Sequence, residues 1–400
     1  MRIIATFCFA CIVRLRVQAS CFVVKPFNFL FISFSLKTMD FHDNIVHHPL
    51  GAGSYYFKES LIRYLSGQCP RQDIAIHLGS QPNCSPHIGN VTTFAVGFGL
   101  AAALKNVCSR TVRVKFVYVD SAPAPGQEFV VSGVKYQKSL SHTGDFRIHQ
   151  KAFGNVLDQL SRLSGVPYDK HTQDLWREHP KFPRVLRDLI SQHQTLGPHL
   201  SPDTGKLAIR TPCPHQGCGI ADKHGLNNKY HIDGRITFLC PDHGEHYVDL
   251  DSPTGLARLE FNTPLRNLIR TMITGSDMSR SWIMCTGSDY AGFYQEQFTW
   301  RLLPCPQQAP VIFYAPQILD WSGAKLSKSL YVKQDAYRYL RAAERQYLLN
   351  VDLLLKREHG LEALYLEVQE WIEKPFMLFR SYTIAYLDKQ LVSRGMDPYN

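Results

Sequence analysis

A histidine, a glycine and an asparagine stand close together in HLGSQPNCSPHIGN, residues 77–90. Small and apolar residues at helical spacing follow, so His87, Gly89 and Asn90 lie where a helix is predicted to begin. The free N–H groups of a helix N-terminus attract anions, a glycine lets a ligand approach the backbone, and an imidazole can meet negative charge. The stretch therefore predicts a phosphate-binding turn.

A second candidate phosphate site is GAKLSKSL, residues 323–330. Lys325 and Lys328 flank Ser327 in a loop led by glycine, after a predicted strand and before predicted helices. Such lysines can hold a polyphosphate or an RNA backbone. Each motif by itself is weak, because single histidines often cap helices and lysine pairs are often solvated. The two motifs in this order are more specific than either.

Four residues have the types and spacing of a zinc site. CPHQGCG supplies Cys213 and Cys218, and LCPDHGEH supplies Cys240 and His243. Two short-spaced ligand pairs on turns with glycine and proline predict a tetrahedral Cys₃His zinc site, which is structural because the protein fills all four positions. The alternative fourth ligands are His215, His224, His231 and His246.

The scaffold that must position these residues is predicted to be a parallel α/β sheet. DIAIHLG (73–79) and VRVKFVYVD (112–120) have the pattern of buried strands, and the apolar helix lies between them. Strand, helix and strand at this spacing form a βαβ unit, which predicts a doubly wound sheet. Ligands bind at the carboxyl ends of such strands. The residues that fall there are Gly79, Ser80, His87 and Asp120.

The later part of the chain continues this pattern. SWIMCTGSDYAG and APVIFYAPQIL predict further strands that lead into polar loops, and residues 334–390 have a helical pattern. With 400 residues, 44% of them apolar, the chain can bury a large core. Eleven cysteines, an odd number at irregular spacing, indicate reduced thiols and a cytoplasmic protein.

Residues 1–38 are set apart by composition. They carry five basic residues and no acid, half of the formal net charge of +10, and the remaining charge is compatible with nucleic-acid binding. Arg14 and Arg16 interrupt the apolar run, so we expect no membrane span. The segment is interpreted as a gene-model extension ahead of a start at Met39, or as an organelle-targeting peptide; a secretory signal fits less well.

The motifs resemble those of the class I aminoacyl-tRNA synthetases. PHIGN is similar to their HIGH signature and KLSKS to their KMSKS signature, and the nearest likeness is to the class I lysyl-tRNA synthetases, in which asparagine also stands at the position of Asn90. The resemblance implies a Rossmann-type catalytic domain in which His87 and Asn90 face the phosphates of ATP. Lys325 and Lys328 would then stabilise the leaving pyrophosphate.

The resemblance also implies a division of the chain. The catalytic domain would comprise residues 39–150 and 281–333, separated by a connective insertion at 151–280. The zinc module would occupy about 210–247 of that insertion, and helices would form 334–400. In related synthetases, such an insertion helps to seat the acceptor end of tRNA.

Two departures from the lysyl enzymes change the predicted function. Only residues 330–400 follow KLSKS, where those enzymes continue with a helical anticodon-binding region, and YVDSAPAPGQE replaces an acid-rich loop. A synthetase-like core without an anticodon reader resembles the cyclodipeptide synthases, in particular the fungal arginine-containing group. These enzymes of secondary metabolism join two amino acids from aminoacyl-tRNAs. The predicted partners are therefore arginyl-tRNA and a second aminoacyl-tRNA.

Such a reaction needs a nucleophile and a carboxylate for the α-ammonium group. Ser80 is the predicted nucleophile, as in the bacterial cyclodipeptide synthases, with Cys84 and Ser85 as alternatives. The candidate carboxylates for ammonium or guanidinium groups are Asp120, Glu128, Asp289 and Glu296.

Two other functions stay open at this point. One is an ATP-dependent amino-acid-activating enzyme, which would explain both phosphate motifs. The other is a catalytically silent paralogue that binds tRNA or an amino acid. Arginines at helical spacing in LEFNTPLRNLIRTM and YRYLRAAERQYLLNVDLLLKRE are typical of solvated helix faces, or of a surface for the tRNA backbone.

Overall fold

The computed structural model describes residues 50–51, 61–291, 309–326 and 337–397. The N-terminal segment 1–38 and the candidates Glu296, Ser327 and Lys328 lie outside these ranges. The strands are β1 (Leu50–Gly51), β2 (Asp73–Ser80), β3 (Thr111–Tyr118), β4 (Pro123–Val131), β5 (Val134–Ser139), β6 (Tyr168–His171), β7 (Ile209–Arg210), β8 (Ala221–Asp222), β9 (Lys229–Tyr230), β10 (Arg235–Cys240), β11 (Gly244–Asp249), β12 (Glu260–Phe261), β13 (Arg280–Gly287), β14 (Val311–Ala315), β15 (Ile318–Leu319) and β16 (Tyr382–Thr383).

The helices follow the same chain order. They are α1 (Leu61–Gly67), α2 (Ile88–Val107), α3 (Leu140–Thr143), α4 (Phe146–Ser164), α5 (Asp174–Arg177), α6 (Phe182–Ser191), α7 (His193–Leu200), α8 (Pro253–Leu256), α9 (Thr263–Gly275), α10 (Arg338–Ala342), α11 (Val351–Lys356), α12 (Gly360–Glu373) and α13 (Ile384–Ser393). Short 3₁₀ helices lie at Ser288–Tyr290, Gln346–Leu348 and Pro375–Phe379.

Within the described ranges, six parallel strands form the central sheet in the order β1-β14-β13-β2-β3-β6. The chain leaves β2 towards β3 and β6, and leaves β13 in the other direction towards β14. A crevice forms where two neighbouring strands lead to opposite sides of a parallel sheet. The predicted α/β fold with a central parallel sheet is confirmed, and its switch point lies between β2 and β13.

One hydrophobic core covers each face of the sheet, since both faces of β2 are apolar. Ile74, Ile76 and Leu78 face a core formed with α1, α2, α4 and the C-terminal helices. Ala75 faces a second core built from α6, α9 and the strands that follow β6. The expected C-terminal helices, 334–400, therefore share the core of the sheet. In the described part they are interrupted by β16, which pairs with β15.

Helix α2 packs closely because of two glycines. A Cβ atom at Gly97 would lie 2.8 Å from the Leu78 side chain, and one at Gly99 would lie 2.6 Å from Ile372. The helix is long and apolar enough to cross a membrane by length and composition, but 67% of its most apolar 18-residue window is buried. Its burial between β2 and α12 accounts for that composition.

The chain stays in the central sheet beyond residue 151, where the connective insertion was expected to begin, and the division into domains stays a prediction. Strand β6 pairs in parallel with β3, and α4 packs in the same core as α2, so the chain stays in the central sheet up to His171. The segment that leaves the sheet before β13 contains the antiparallel β9–β10–β11 sheet and the β7–β12 pair. The physical reason is that β6 completes one edge of the parallel sheet.

A buried ion pair connects β7 to β12. The Arg210 Nε atom donates to Glu260 Oε2 at 3.1 Å, and the two side chains are 5% and 2% exposed. Arg210 Nη2 also donates to the Ser121 carbonyl at 2.8 Å, and the Ser141 hydroxyl donates to Glu260 Oε1 at 3.3 Å. These contacts join the insertion to the loop after β3.

Replacing Glu260 with glutamine should lower the free energy of unfolding by about 3–5 kcal/mol, because it leaves the Arg210 cation buried without a counter-charge. Denaturant unfolding at neutral pH measures this change. The control is Glu245→Gln, which removes one partner of an ion pair with Lys229 in which both side chains are more than half exposed, and which should change stability little. Equal effects of the two substitutions would contradict the structural role assigned to Glu260.

Candidate functional site

A cavity of about 570 Å³ opens at the carboxyl ends of β2 and β13. It is thus at the switch point of the sheet, where α/β proteins bind ligands. Six of the predicted site residues line it: Ser80, His87, Gly89, Asn90, Asp289 and Lys325. The structure therefore brings together residues from both sequence motifs and from the loop after β13.

The start of α2 is built by a reciprocal cap. His87 is the N-cap residue, and its Nδ1 atom accepts from the Gly89 N–H at 3.0 Å. The Asn90 Oδ1 atom accepts from the His87 N–H at 3.4 Å. With Nδ1 acting as the acceptor, a neutral His87 imidazole carries its proton on Nε2. The pair thus orients an imidazole donor beside the positive end of a helix that lines the cleft.

Gly89 leaves room for the ring of His87. A Cβ atom there would lie 3.0 Å from His87 Cε1 and 3.1 Å from His87 Nδ1, and 3.6 Å from Ile318. The side chain of any other residue would press on the imidazole. The glycine predicted to admit a ligand thus also makes room for the capping histidine.

Lys325 reaches the cleft from a tight hairpin. The Leu326 N–H donates to the Ile318 carbonyl at 2.8 Å, and the Leu326 side chain is buried in the core, so its neighbour Lys325 turns outward. The Lys325 ammonium forms an ion pair with the Asp289 carboxylate, from the loop after β13. The first lysine of KLSKS and one of the four candidate carboxylates are therefore partners in this structure.

Ser80 ends β2 and lines the cleft, as predicted for the nucleophile. The two alternatives are held elsewhere. The Cys84 thiol donates to the Ser85 carbonyl at 3.0 Å, and the Ser85 hydroxyl donates to Asp352 Oδ2 at 3.1 Å, which fastens this loop to α11. Of these three candidates, the geometry favours Ser80.

Two predicted carboxylates do not line the cleft. Asp120 is 3% exposed and its Oδ1 atom accepts from the Gln173 N–H at 3.3 Å, because the chain turns inward after β3. Burial raises the pKa of Asp120, against the attraction of Arg177. Glu128 lies on the β4–β5 hairpin, where its carboxylate pairs with the Lys223 ammonium. Neither residue is placed to hold a substrate ammonium group in this cavity.

Three further residues of the cleft were not predicted as site residues: His77, Arg266 and Arg270. Burial first, and then the charges of Arg270 and Arg266, hold the pKa of His77 well below its usual range, so its imidazole is neutral. The sequence signal that could have identified His77 as a site residue is a histidine in the middle of the apolar strand sequence DIAIHLG. The arginines of α9 were expected on a solvated or tRNA-facing surface, but the fold turns these two into the cavity.

The four predicted metal ligands form one cluster. The Cys213 and Cys240 sulfurs lie 3.7 and 3.5 Å from His243 Nδ1, and the Cys218 and Cys240 sulfurs are 3.7 Å apart. A tetrahedral zinc ion would require about 3.6 Å for sulfur to nitrogen and about 3.8 Å for sulfur to sulfur. The geometry therefore fits zinc, while zinc binding itself stays a prediction.

The alternative ligands lie outside this cluster of the described residues. His215 stacks on the His243 ring with centroids 3.9 Å apart, and His231 Nε2 contacts the Thr237 hydroxyl at 2.9 Å. His246 stacks on Phe238. The His224 N–H donates to Asp222 Oδ1 at 3.0 Å.

The chain matches no protein-family model and no curated protein. Similar solved structures include an arginyl-tRNA synthetase from Campylobacter jejuni, at 10% identity and a TM-score of 0.32 over 84% of this chain and 89% of that chain. The arginyl-tRNA synthetase of Thermus thermophilus has 12% identity and a TM-score of 0.32, over 82% of this chain and 63% of that chain. A glutamate tRNA ligase from Elizabethkingia meningosepticum, in complex with its amino acid, has 13% identity and a TM-score of 0.30, over 65% of this chain and 53% of that chain.

These similar structures are all aminoacyl-tRNA synthetases. At TM-scores of this size, the likeness carries no argument about activity. Closeness to the lysyl enzymes and to fungal cyclodipeptide synthases stays a prediction. The functional assignment of this α/β protein therefore depends on the cleft itself.

Proposed function

We propose that this protein is a tRNA-dependent cyclodipeptide synthase that joins arginine and a second amino acid into a diketopiperazine. One observation carries the proposal: Ser80 lines the same cavity as the capped start of α2 and the Asp289–Lys325 pair. A nucleophile, an anion-binding helix end and a carboxylate are the groups that aminoacyl transfer between two tRNAs needs.

The proposed reaction has three balanced steps. The Ser80 oxygen attacks the ester carbonyl of the first aminoacyl-tRNA, and the ribose oxygen of that tRNA leaves with a proton. The α-amine of the second aminoacyl group then attacks this acyl carbonyl, so a peptide bond forms and Ser80 recovers its proton. Finally, the amine of the first residue attacks the ester of the second, which closes the ring and releases the second tRNA.

The other cleft residues have binding roles in this proposal. His87 Nε2–H, the N-terminal amides of α2 and Lys325 would hold the phosphates at the tRNA end, together with Lys328, which lies outside the described residues. Asp289 would accept the substrate α-ammonium group in place of Lys325. Asn90 supports the cap and keeps the His87 backbone in position.

The second candidate function is ATP-dependent amino-acid activation. The observation that favours it is that Lys325 and the capped start of α2 line one cavity, an arrangement suited to a nucleotide polyphosphate. In that case Lys325 would stabilise the leaving pyrophosphate and Ser80 would have no covalent role. A silent tRNA-binding protein would form neither product.

The test uses the full-length protein with arginyl-tRNA that carries labelled arginine, a mixture of other aminoacyl-tRNAs, and no ATP. We expect mass spectrometry to detect a labelled diketopiperazine, with two deacylated tRNAs for each product. Deacylated tRNA with free arginine is the control and should give no product. If folded protein forms no diketopiperazine, the proposal is overturned, and amino-acid-dependent pyrophosphate exchange then separates an activating enzyme from a silent binder.

A further inference from the structure

Two arginines on one face of α9 give the cleft a cationic wall. Arg266 and Arg270 are one helical turn apart and both line the cavity, with Asn267 between them. Among the described residues, their hydrogen-bond partners are neutral. Arg266 Nη2 donates to the Thr263 hydroxyl at 3.2 Å, and Arg270 Nη2 donates to Asn267 Oδ1 at 2.8 Å.

In the part of the chain that the structure describes, the remaining contacts of Arg270 also provide no counter-charge. Its Nη1 atom lies 3.4 Å from Nε2 of the neutral His77, and its buried Nε atom has no hydrogen-bond partner among the described residues. Burial, and then repulsion from Arg266, lower the pKa of Arg270 to about 9, so the guanidinium is still charged at neutral pH. A cation held in this way is destabilising unless an anion joins it.

The surroundings of Arg266 differ from those of Arg270 in that a carboxylate, Asp120, is near enough to attract its charge. Burial lowers its pKa to about 10, Arg210 repels it, and Asp120 and Tyr290 attract it. Arg210 is already paired with Glu260, and the Asp120 carboxylate accepts from the Gln173 backbone. Within the described ranges, no ion pair joins either arginine of α9 to a carboxylate. The wall therefore has two guanidinium groups available for one ligand anion.

We infer that Arg266 and Arg270 form a subsite for the side-chain carboxylate of an acidic amino acid, aspartyl or glutamyl. This inference rests on the proposed function, in which the cleft receives two aminoacyl groups. Guanidinium groups bind carboxylates through paired, directional hydrogen bonds. A positive arginine side chain would be repelled here, so the arginine substrate must lie elsewhere in the cleft, and the acidic residue is the second amino acid.

A phosphate is the other anion that two arginines could bind. The proposed function already assigns the tRNA phosphates to the start of α2 and to Lys325, which line the cavity from other elements than α9. The α9 wall lies instead beside the His77 side chain on β2. The ring of Trp176 packs against His77, with its centroid 5.7 Å from that of the imidazole. A subsite beside the neutral imidazole of His77 is suited to an amino-acid side chain, and the experiment distinguishes the two anions.

The test measures binding to the full-length protein by titration calorimetry, with stable adenosine analogues in which an amide replaces the aminoacyl ester. We expect the glutamyl or the aspartyl analogue to bind about 10- to 100-fold more tightly than its glutaminyl or asparaginyl counterpart. In Arg270→Gln, this preference should fall to within about threefold. The matched control is Arg184→Gln, whose side chain on α6 is 88% exposed, and which should keep the preference.

A second measurement, the melting temperature, tests whether Arg270→Gln still folds. Because the substitution removes a half-buried cation that has no counter-charge among the described residues, the free variant should melt at the same temperature as the wild type or higher. Equal binding of the acidic and amide analogues to the wild type would overturn the inference. An Arg270-dependent gain of the trinucleotide CCA over adenosine, without a carboxylate preference, would assign the wall to phosphate and overturn it equally.

The experiments can reject the acidic subsite and the proposed function independently of each other. A carboxylate preference without any diketopiperazine product would keep the subsite and reject the synthase. A diketopiperazine that contains no acidic residue, formed in competition with glutamyl- and aspartyl-tRNA, would keep the synthase and reject the subsite.

Discussion

The Ser80→Ala variant should form diketopiperazine at least about a thousandfold more slowly than the wild type, because removal of a covalent nucleophile leaves only binding and orientation to promote the reaction. Its fold should be unchanged, since Ser80 lies at the rim of the cleft and its backbone bond from the Val119 N–H to the Ser80 carbonyl, 2.8 Å, is retained. Incubation with labelled arginyl-tRNA, followed by acid quench, should trap an arginyl ester on the wild-type protein and none on the variant.

The control for this prediction is Ser85→Ala. Ser85 is in the same loop, but its hydroxyl donates to Asp352, away from the cleft, so its loss should weaken the loop contact and leave the chemistry in place. A Ser80→Ala variant that keeps more than about a tenth of the wild-type rate would remove the covalent step from the mechanism. A trapped ester in that variant would point to another nucleophile, with Cys84 the first to examine.

Loss of the metal should have the largest effect on the fold. We expect the purified protein to contain one zinc ion, and Cys240→Ser to lose it. Structural zinc sites contribute an apparent free energy of about 10–16 kcal/mol, comparable to the whole stability of an ordinary domain. The strands around the cluster are short, and their small core consists of Tyr136, Ile220 and three of the ligand cysteines. The module should therefore unfold without metal.

Metal analysis and limited proteolysis measure this result. Cleavage should begin within about 210–247 after Cys240→Ser or after treatment with a chelator, and restored zinc should reverse the effect of the chelator alone. The control is Cys108→Ser, since the Cys108 thiol donates to the Leu104 carbonyl at 2.8 Å, outside the cluster. A Cys240→Ser protein that resists protease as well as the wild type would contradict a structural metal.

Much of the scaffold could be predicted from local pattern. Strands β2 and β3 lie where DIAIHLG and VRVKFVYVD predicted them, and α2 begins directly after His87. The hydrophobic pattern, the length of each element and the helix caps depend on a few neighbouring residues, so they can be recognised from the sequence alone. The four predicted metal ligands could also be recognised from local pattern, because each pair of ligands lies within one tight turn.

The candidate site was predicted less completely. Asp289 and Lys325 were both proposed, but their ion pair could not be foreseen, since it depends on the loop after β13 meeting the hairpin after β14. Asp120 was expected in the cleft from its place after β3. The turn there directs its carboxylate to the backbone of Gln173 instead, a contact between residues far apart in the sequence.

The sequence by itself determined the parallel sheet, the helix start at His87 and the four potential metal ligands, because each follows from the chemistry of near neighbours. Only the tertiary structure decided which way the arginines of α9 face. The spacing of Arg266 and Arg270 is equally typical of a solvated helix surface. Packing of the apolar side of α9 against the sheet turns the two guanidinium groups into the cleft, since a rigid helix can present only one face to the core.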